Sequence, residues 1–263
     1  MKIRPAEKFD VPAIARIGAS AFAQEPIYAH FFPLHALYPQ DFHRFFLDDA
    51  AKALLSPGKV VMVVELEESD ALESDTDFQG MQKERRVVAF ATFVRYGSAS
   101  ELASWNPDSR LKRSTVRWKA KIEITELRRL LLFFRGIWAS ITAPNRAISR
   151  PTIENYYNQA SAVHSRYLQL SRSRIEFRTL AVDPAYQRRR FGEKLVEWCG
   201  IRAWEEDVPV FGDASTKGLP LYLRNGCEDI RRIILSKQIV NPGDGIESIE
   251  LDGMEVVVLR WKA

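Results

Sequence analysis

Cysteine is scarce. The chain has 263 residues and two cysteines, Cys199 and Cys227, too few and too far apart for a disulfide framework or a CxxC metal pair. A reducing compartment is the simplest reading. A long apolar run is also missing. The most apolar stretch, Leu130 to Ile141, is interrupted by Arg135 and is too short to span a bilayer. Met1-Lys2-Ile3-Arg4-Pro5 offers no apolar core for a secretory signal. The expectation is a cytoplasmic protein, with the nucleus left open. Histidine is limited to His30, His35, His43 and His164. They form no HExxH or paired metal spacing, so structural or surface roles are expected and no metal is called for. Neither a GxSxG nucleophile turn nor a GxxxxGK phosphate loop occurs. Nor is there a strong excess of one charge: Lys+Arg is 38 and Asp+Glu 34, a formal charge of +4. That permits an anionic ligand without demanding nucleic acid.

What is present is enough apolar material for a sizeable core, 46% hydrophobic against 27% charged residues. Ile3 to Pro5 reads as a short strand. Asp10 reads as an N-cap with Pro12 in the first turn of a helix, followed by Ile14, Ile17 and Ala21 at helical spacing. A second helix, rich in aromatics, is predicted for Asp41 to Leu55. Val60 to Glu65 and Val87 to Tyr96 are β-branched runs that read as strands. Between them Glu67 to Asp77 is an acidic connection.

From about Gly97 to Ser173 the character changes. Leu127, Leu130, Leu131, Phe134, Ile137, Trp138 and Ile141 mark an amphipathic helix, and another is predicted for Asn155 to Leu170. Arg110 to Arg135 is markedly basic. Such a helical insertion carries a solvated basic face, forms a lid or substrate-recruiting surface, or lies as a helix on a membrane surface. Strands follow at Ile175 to Val182 and Val208 to Asp213, separated by a helix at Phe191 to Trp204. A short helix at Leu219 to Asn225 is closed by Gly226 as a left-handed cap. Asp229 to Leu235 and Met254 to Trp261 read as an antiparallel pair joined through Asn241 to Gly245. This order predicts an α/β chain with a mixed sheet and helices packed on it.

The segment Leu180-Ala181-Val182-Asp183-Pro184-Ala185-Tyr186-Gln187-Arg188-Arg189-Arg190-Phe191-Gly192 is a strand, a tight basic turn and a helix start. A helix N-terminus turns unsatisfied backbone N–H groups and a positive dipole end outward, and phosphate binds there. Arginines add charge-assisted donors. From this chemistry alone the segment is an anion site or a basic helix start on a solvated turn.

Its residues resemble motif A of the GCN5-related N-acetyltransferase (GNAT) family, Gln/Arg-x-x-Gly-x-Gly/Ala after a strand ending near Val-x-Pro. Val182, Pro184, Gln187 and Gly192 match. Arg190 stands where the first glycine is usual, a position that favours positive φ. The strand Val208 to Asp213 and the following Ala214-Ser215-Thr216-Lys217-Gly218-Leu219-Pro220-Leu221-Tyr222-Leu223-Arg224-Asn225-Gly226-Cys227 resemble motif B, with Cys227 in place of a common phenylalanine. Ile3-Arg4-Pro5-Ala6, Asp10 and Ile14 are similar to the family's opening strand and helix. The resemblance spans about 1–65, 87–97 and 174–262, leaving 98–173 as a helical insertion before the central strand of a single domain, 1–263.

The resemblance implies a GNAT fold, a mixed and mostly antiparallel sheet flanked by helices. It implies acetyl transfer from acetyl-CoA to a primary amine by direct attack, or, as the alternative, a regulatory module that binds acyl-CoA without catalysis. Leu180, Ala181, Val182, Gln187, Arg188, Arg189, Arg190, Phe191, Gly192 and Ser215 are the implied cofactor-binding residues. Tyr222 matches the family's general acid. Glu176 stands where some members carry a base, and period-two alternation puts Glu176, Arg178, Leu180 and Val182 on one face. The expected partner is a small-molecule amine or a peptide, with no nucleic acid and no membrane. The aromatics Phe22, Tyr28, Phe31 and Phe32 either wall the acceptor pocket or pack a core.

Overall fold

The computed structural model describes residues 1–66, 86–105, 144–168, 171–240 and 248–261. In chain order the elements are β1 (Lys2–Pro5), α1 (Val11–Phe22), α2 (Pro26–Phe31), α3 (Pro39–Leu55), β2 (Lys59–Leu66), β3 (Arg86–Tyr96), α4 (Ala99–Trp105), α5 (Arg150–Leu168), β4 (Arg174–Val182), α6 (Phe191–Glu206), β5 (Val210–Ser215), α7 (Leu219–Arg224), β6 (Glu228–Leu235), β7 (Gln238–Val240), β8 (Ile249–Leu251) and β9 (Met254–Trp261).

The β-branched runs make the centre of the sheet. β2 and β3 pair antiparallel, with Val61 opposite Thr92 and Val63 opposite Phe90, and both are buried along most of their length. Side chains that alternate across a strand must then feed two cores. Val60, Met62 and Val64 point to the core under α6, with its Leu195, Val196, Cys199 and Ala203. Val61 and Val63 point to the core under α1 and α3, with Ile14, Ile17, Ala50 and Ala53. The seven strands run in the order β1-β2-β3-β4-β5-β9-β6. Among the described pairings only β4–β5 is parallel, the register that a strand–helix–strand crossover through α6 allows. The expected mixed, mostly antiparallel sheet is what forms.

α5 lies over the far half of the sheet. Its Tyr156 and Ala160 pack on Ile233, Leu235, Val256 and Val258. The aromatic stretch after α1 packs as a core of its own. Phe32, Phe42 and Phe46 are buried, and the Phe22 and Tyr28 rings stack at 4.2 Å. Phe31 meets Tyr156 edge-on at 5.1 Å, which joins this cluster to α5.

Four sequence expectations change. Asp10 precedes α1, and Pro12 lies in its first turn, but the Asp10 side chain makes no cap hydrogen bond. Its carboxylate instead accepts from Arg4 at 2.7 and 2.9 Å and from the Glu7 N–H at 2.6 Å, because a buried guanidinium competes for it. Between β6 and β9 the chain adds a small hairpin, β7 with β8, too short to be distinct in the sequence. Val208, buried, comes before β5 rather than inside it. The alternation along β4 breaks. Thr179 lies opposite Thr92, but Phe177 lies opposite Phe93, so Arg178 is the extra residue of a β-bulge. A bulge shifts the side-chain parity by one. Leu180 and Val182 therefore join Ile175 and Phe177 in the α6 core, while Ala181 faces α1. Glu176 and Leu180 are on opposite faces.

The predicted acidic connection Glu67 to Asp77, the helix at Leu127 to Ile141, the basic run Arg110 to Arg135 and the turn Asn241 to Gly245 lie outside the described residues. Among the described residues no helix is long and apolar enough to cross a membrane.

Candidate active site

Between β4 and α6 the chain turns tightly. The Asp183 carboxylate accepts from the Ala185 N–H at 3.1 Å and is held by Arg16 of α1 at 2.6 Å. A single 3-10 turn, Pro184–Tyr186, follows. Arg188 and Arg190 then both take left-handed backbone, φ 61° and 63°. The position where glycine is usual keeps its conformation with arginine in it. α6 begins at Phe191, and the Lys194 N–H donates back to Arg190 O at 3.1 Å. The amides of Phe191, Gly192 and Glu193 come before that bond and have no intrahelical acceptor. Gly192 packs closely: a Cβ there would touch the side-chain ends of Leu221, Leu180 and Val182 at 3.3 to 3.5 Å.

The arginine side chains surround this helix start. Arg188 and Arg190 are exposed, and Arg189 is half-buried. The Arg189 guanidinium lies 5.7 Å from the Tyr186 ring centre and 5.4 Å from that of Phe191. Gln187 reaches back, its amide donating to Val182 O at 3.3 Å.

Next to the turn the sheet opens. β4 and β5 pair only at Ile175↔Val210, Glu176↔Phe211 and Phe177↔Gly212. Beyond that, β4 stays paired to β3 as far as Val182, and β5 stays paired to β9 as far as Ser215. The facing edges, residues 178–182 and 213–215, are left without each other. Gly212 sits at the point of divergence, where a Cβ would come within 2.8 Å of Phe177 Cβ. Tyr222 of α7 closes the slot from the α6 side. It is buried, edge-on to Phe177 at 5.4 Å, and burial pushes its hydroxyl above the usual tyrosine range. The Ser215 hydroxyl donates to Glu25 at 3.0 Å and accepts from the Gly218 N–H at 3.1 Å, so it ties β5 to α2 and α7.

On the opposite face a cavity opens at the mouth of the slot. His164, Glu176, Phe177, Arg178, Phe211, Gly212, Asp213 and Val258 line it. Glu176 is buried, and its Oε1 accepts from Arg174 Nε at 2.9 Å, while Arg178 Nη1 is 3.5 Å from Oε2. Asp213 accepts from the Tyr156 hydroxyl at 2.7 Å and pairs with His164 Nε2 at 2.9 Å. Burial alone would lower the His164 pKa. The hydrogen bond to Asp213 and the charges of Asp213 and Glu176 outweigh it, so the imidazole sits above its ordinary value.

Two solved structures are similar to the chain over nearly their whole length. A histone acetyltransferase HPA2 and related acetyltransferase from Corynebacterium glutamicum aligns with TM-score 0.50 at 14% identity, covering 98% of this chain and 94% of that one. The polyamine N-acetyltransferase of Drosophila melanogaster, which forms N-acetylagmatine, aligns with TM-score 0.50 at 15% identity, covering 100% and 99%. The chain has the GNAT acetyltransferase fold. No family model and no curated protein matches its sequence.

Leu180, Val182 and Gly192 lie beside one another next to Leu221 of α7, while Glu176 is on the other face of the sheet. Tyr156, His164 and Asp213 escaped sequence reasoning. Two signals were there. Asp213 is a charged residue inside an otherwise apolar strand, Val-Phe-Gly-Asp-Ala. Tyr156 and His164 are eight residues apart on one helix, just over two turns, so they share a face. His35 and His30 behave as expected of structural histidines. His35 Nδ1 is 2.8 Å from Phe32 O, and His30 Nε2 is 2.7 Å from Asp252 O.

Proposed function

We propose that the protein is an acetyl-CoA-dependent N-acetyltransferase that moves an acetyl group directly to an amine. The observation that carries this reading is the junction of an opened β4–β5 pair with a left-handed basic turn at the start of α6. Acetyl-CoA is a chain of amides with a pyrophosphate at one end, and the two parts have matching hosts. The facing edges of residues 178–182 and 213–215 offer backbone donors and acceptors to an extended amide chain, in the manner of an added strand. The amides of residues 188–192, the α6 dipole and the three arginines favour the phosphates. Bound there, the cofactor supplies an activated acetyl group as a thioester.

The chain's own residues take the remaining tasks. A backbone N–H near Leu180 serves as donor to the thioester carbonyl oxygen, where charge develops. The Tyr222 hydroxyl, kept protonated by burial, donates to the leaving sulfur. On the other face the acceptor amine enters the cavity lined by Glu176, His164 and Asp213, and loses a proton there. The described part of the 98–173 insertion contributes His164 of α5 to that cavity. The acceptor is a small-molecule amine or a peptide.

A thiol-release assay with acetyl-CoA against a panel of amines and peptides tests the reading. Turnover should appear with at least one of them, and Tyr222→Phe should lower kcat with little change in acetyl-CoA affinity. Acetyl-CoA binding without turnover on any amine would favour a non-catalytic binding module. Failure to bind acetyl-CoA would remove both readings.

A further inference from the structure

The cavity holds a histidine that neither the turn nor the strand motif calls for. A carboxylate only accepts hydrogen bonds, so His164 Nε2, at 2.9 Å from Asp213 Oδ1, carries the hydrogen and Nδ1 presents a lone pair. Asp213 cannot easily turn away. Tyr156 donates to its other oxygen at 2.7 Å, and burial, reinforced by Asp213, keeps that hydroxyl protonated. An imidazole oriented by a carboxylate that also stabilises its protonated form is the arrangement of a general base. Glu176 is placed differently. Both of its oxygens face guanidinium groups, Arg174 at 2.9 Å and Arg178 at 3.5 Å, and Arg174 is itself seated 4.0 Å over the Tyr96 ring. A proton accepted by Glu176 would have to enter between those cations.

We propose that His164, held by Asp213 as positioning residue, takes the proton that the acceptor ammonium must lose before attack. The proposal rests on the acetyltransferase reading above. The charged groups around the imidazole are Asp213 on β5 with Glu176 and Arg178 on β4. Arg178 opposes the two carboxylates, and the net effect favours the imidazolium. One proton passes from the ammonium to Nδ1. The freed nitrogen lone pair forms the C–N bond to the acetyl carbon, and the C–S bond breaks with its electron pair on sulfur. The nitrogen gives its second proton to water, Tyr222, having protonated the sulfur, takes one back from water, and the imidazolium returns its proton to water, so that one proton is released per turnover. The role falls to the one lining residue that α5 contributes, in a cavity otherwise formed by β4, β5 and β9.

The test has two arms. In the first, the imidazole resonances are followed by NMR titration in the unliganded protein. His164 should titrate above the ordinary value near ~6.5, and Asp213→Asn should bring it down. An unchanged titration in Asp213→Asn overturns the proposal. In the second, kcat/KM is measured against pH with the best acceptor found. His164→Gln, whose amide can still donate to Asp213, should cost about 10²-fold or more at neutral pH while acetyl-CoA binding by calorimetry is kept. The acidic limb should move with Asp213→Asn, and free imidazole should restore part of the activity of His164→Gly. A purely structural latch would show no rescue and no moved limb, and a loss in His164→Gln below about threefold also overturns the base role. If the wild type neither binds acetyl-CoA nor acetylates any amine, the acetyltransferase reading falls and the base role with it. If it does both and only the His164 variants behave like wild type, the base role alone falls.

Discussion

Arg190→Gly tests the turn that opens α6. Arg190 holds φ 63°, and left-handed backbone costs an L residue about 1–2 kcal/mol. Glycine removes that cost but gives the unfolded chain extra freedom worth about 0.5–1 kcal/mol. The side chain itself contributes little to the balance. It is 81% exposed, and its Nε lies 3.9 Å from the Glu193 carboxylate, a surface pair worth about 0–1 kcal/mol. The variant should therefore be more stable by up to about 1 kcal/mol, a rise in Tm of roughly 2–4 °C for a chain of this size. Urea denaturation and a thermal melt both read it. Arg190→Ala is the decisive comparison, since it loses the same guanidinium but keeps the Cβ. It should show no gain. Acetyl-CoA affinity, measured on both variants, separates the two contributions of this residue. Equal loss in both reports the missing cation, and any difference between them reports the backbone. If Arg190→Ala is as stable as Arg190→Gly, the left-handed turn carries no cost and the reasoning is wrong.

Gly212→Ala should destabilise by roughly 1–3 kcal/mol through overpacking, because its Cβ would stand 2.8 Å from Phe177 Cβ where β4 and β5 part; a urea midpoint equal to wild type would contradict the crowding. The His164–Asp213 pair gives stability a pH dependence. The folded His164 pKa is raised, so this contribution is complete below the unfolded value near ~6.5 and fades as pH rises through the folded value. A series of melts from acid to alkaline pH should show it in the wild type and not in His164→Gln, and parallel curves for the two proteins would refute it. Burial raises the Tyr222 hydroxyl, so its ionisation should bring no loss of rate below about pH 10; a Tyr222-dependent alkaline limb nearer neutrality would remove it as proton donor.

The tight basic turn at the start of α6 was legible in the sequence because it is local. The turn, the helix start and Gly192 lie within a dozen residues, and the backbone geometry follows from their order. The short α7 helix and the positive φ of Gly226 were legible for the same reason. The cavity depends on partners far along the chain. His164 and Asp213 are 49 residues apart, and no periodicity links a helix face to a strand end. The bulge at Arg178 is equally invisible from β4 alone, since it is defined by which β3 residues stand opposite. Reading β4 as a simple alternation put Glu176 and Leu180 on one face, whereas the bulge sends them to opposite sides of the sheet. In the proposed reaction that separation would let donor and acceptor approach the slot from different directions.

The divergence of β4 and β5 also bears on how the molecule breathes. The two halves of the sheet, β1 to β4 and β5 with β9 and β6, are joined through only three residue pairs. That seam is short for a structure that must open and reseal as one piece. Amide exchange should therefore be faster at residues 178–182 and 213–215 than in β2 and β3, and should slow on occupancy by an extended amide chain. A ligand at a hundred times its Kd stabilises by about 2.7 kcal/mol. Here that stabilisation would fall across the seam itself, so the cosubstrate would act as a strut between two half-sheets as well as a reactant.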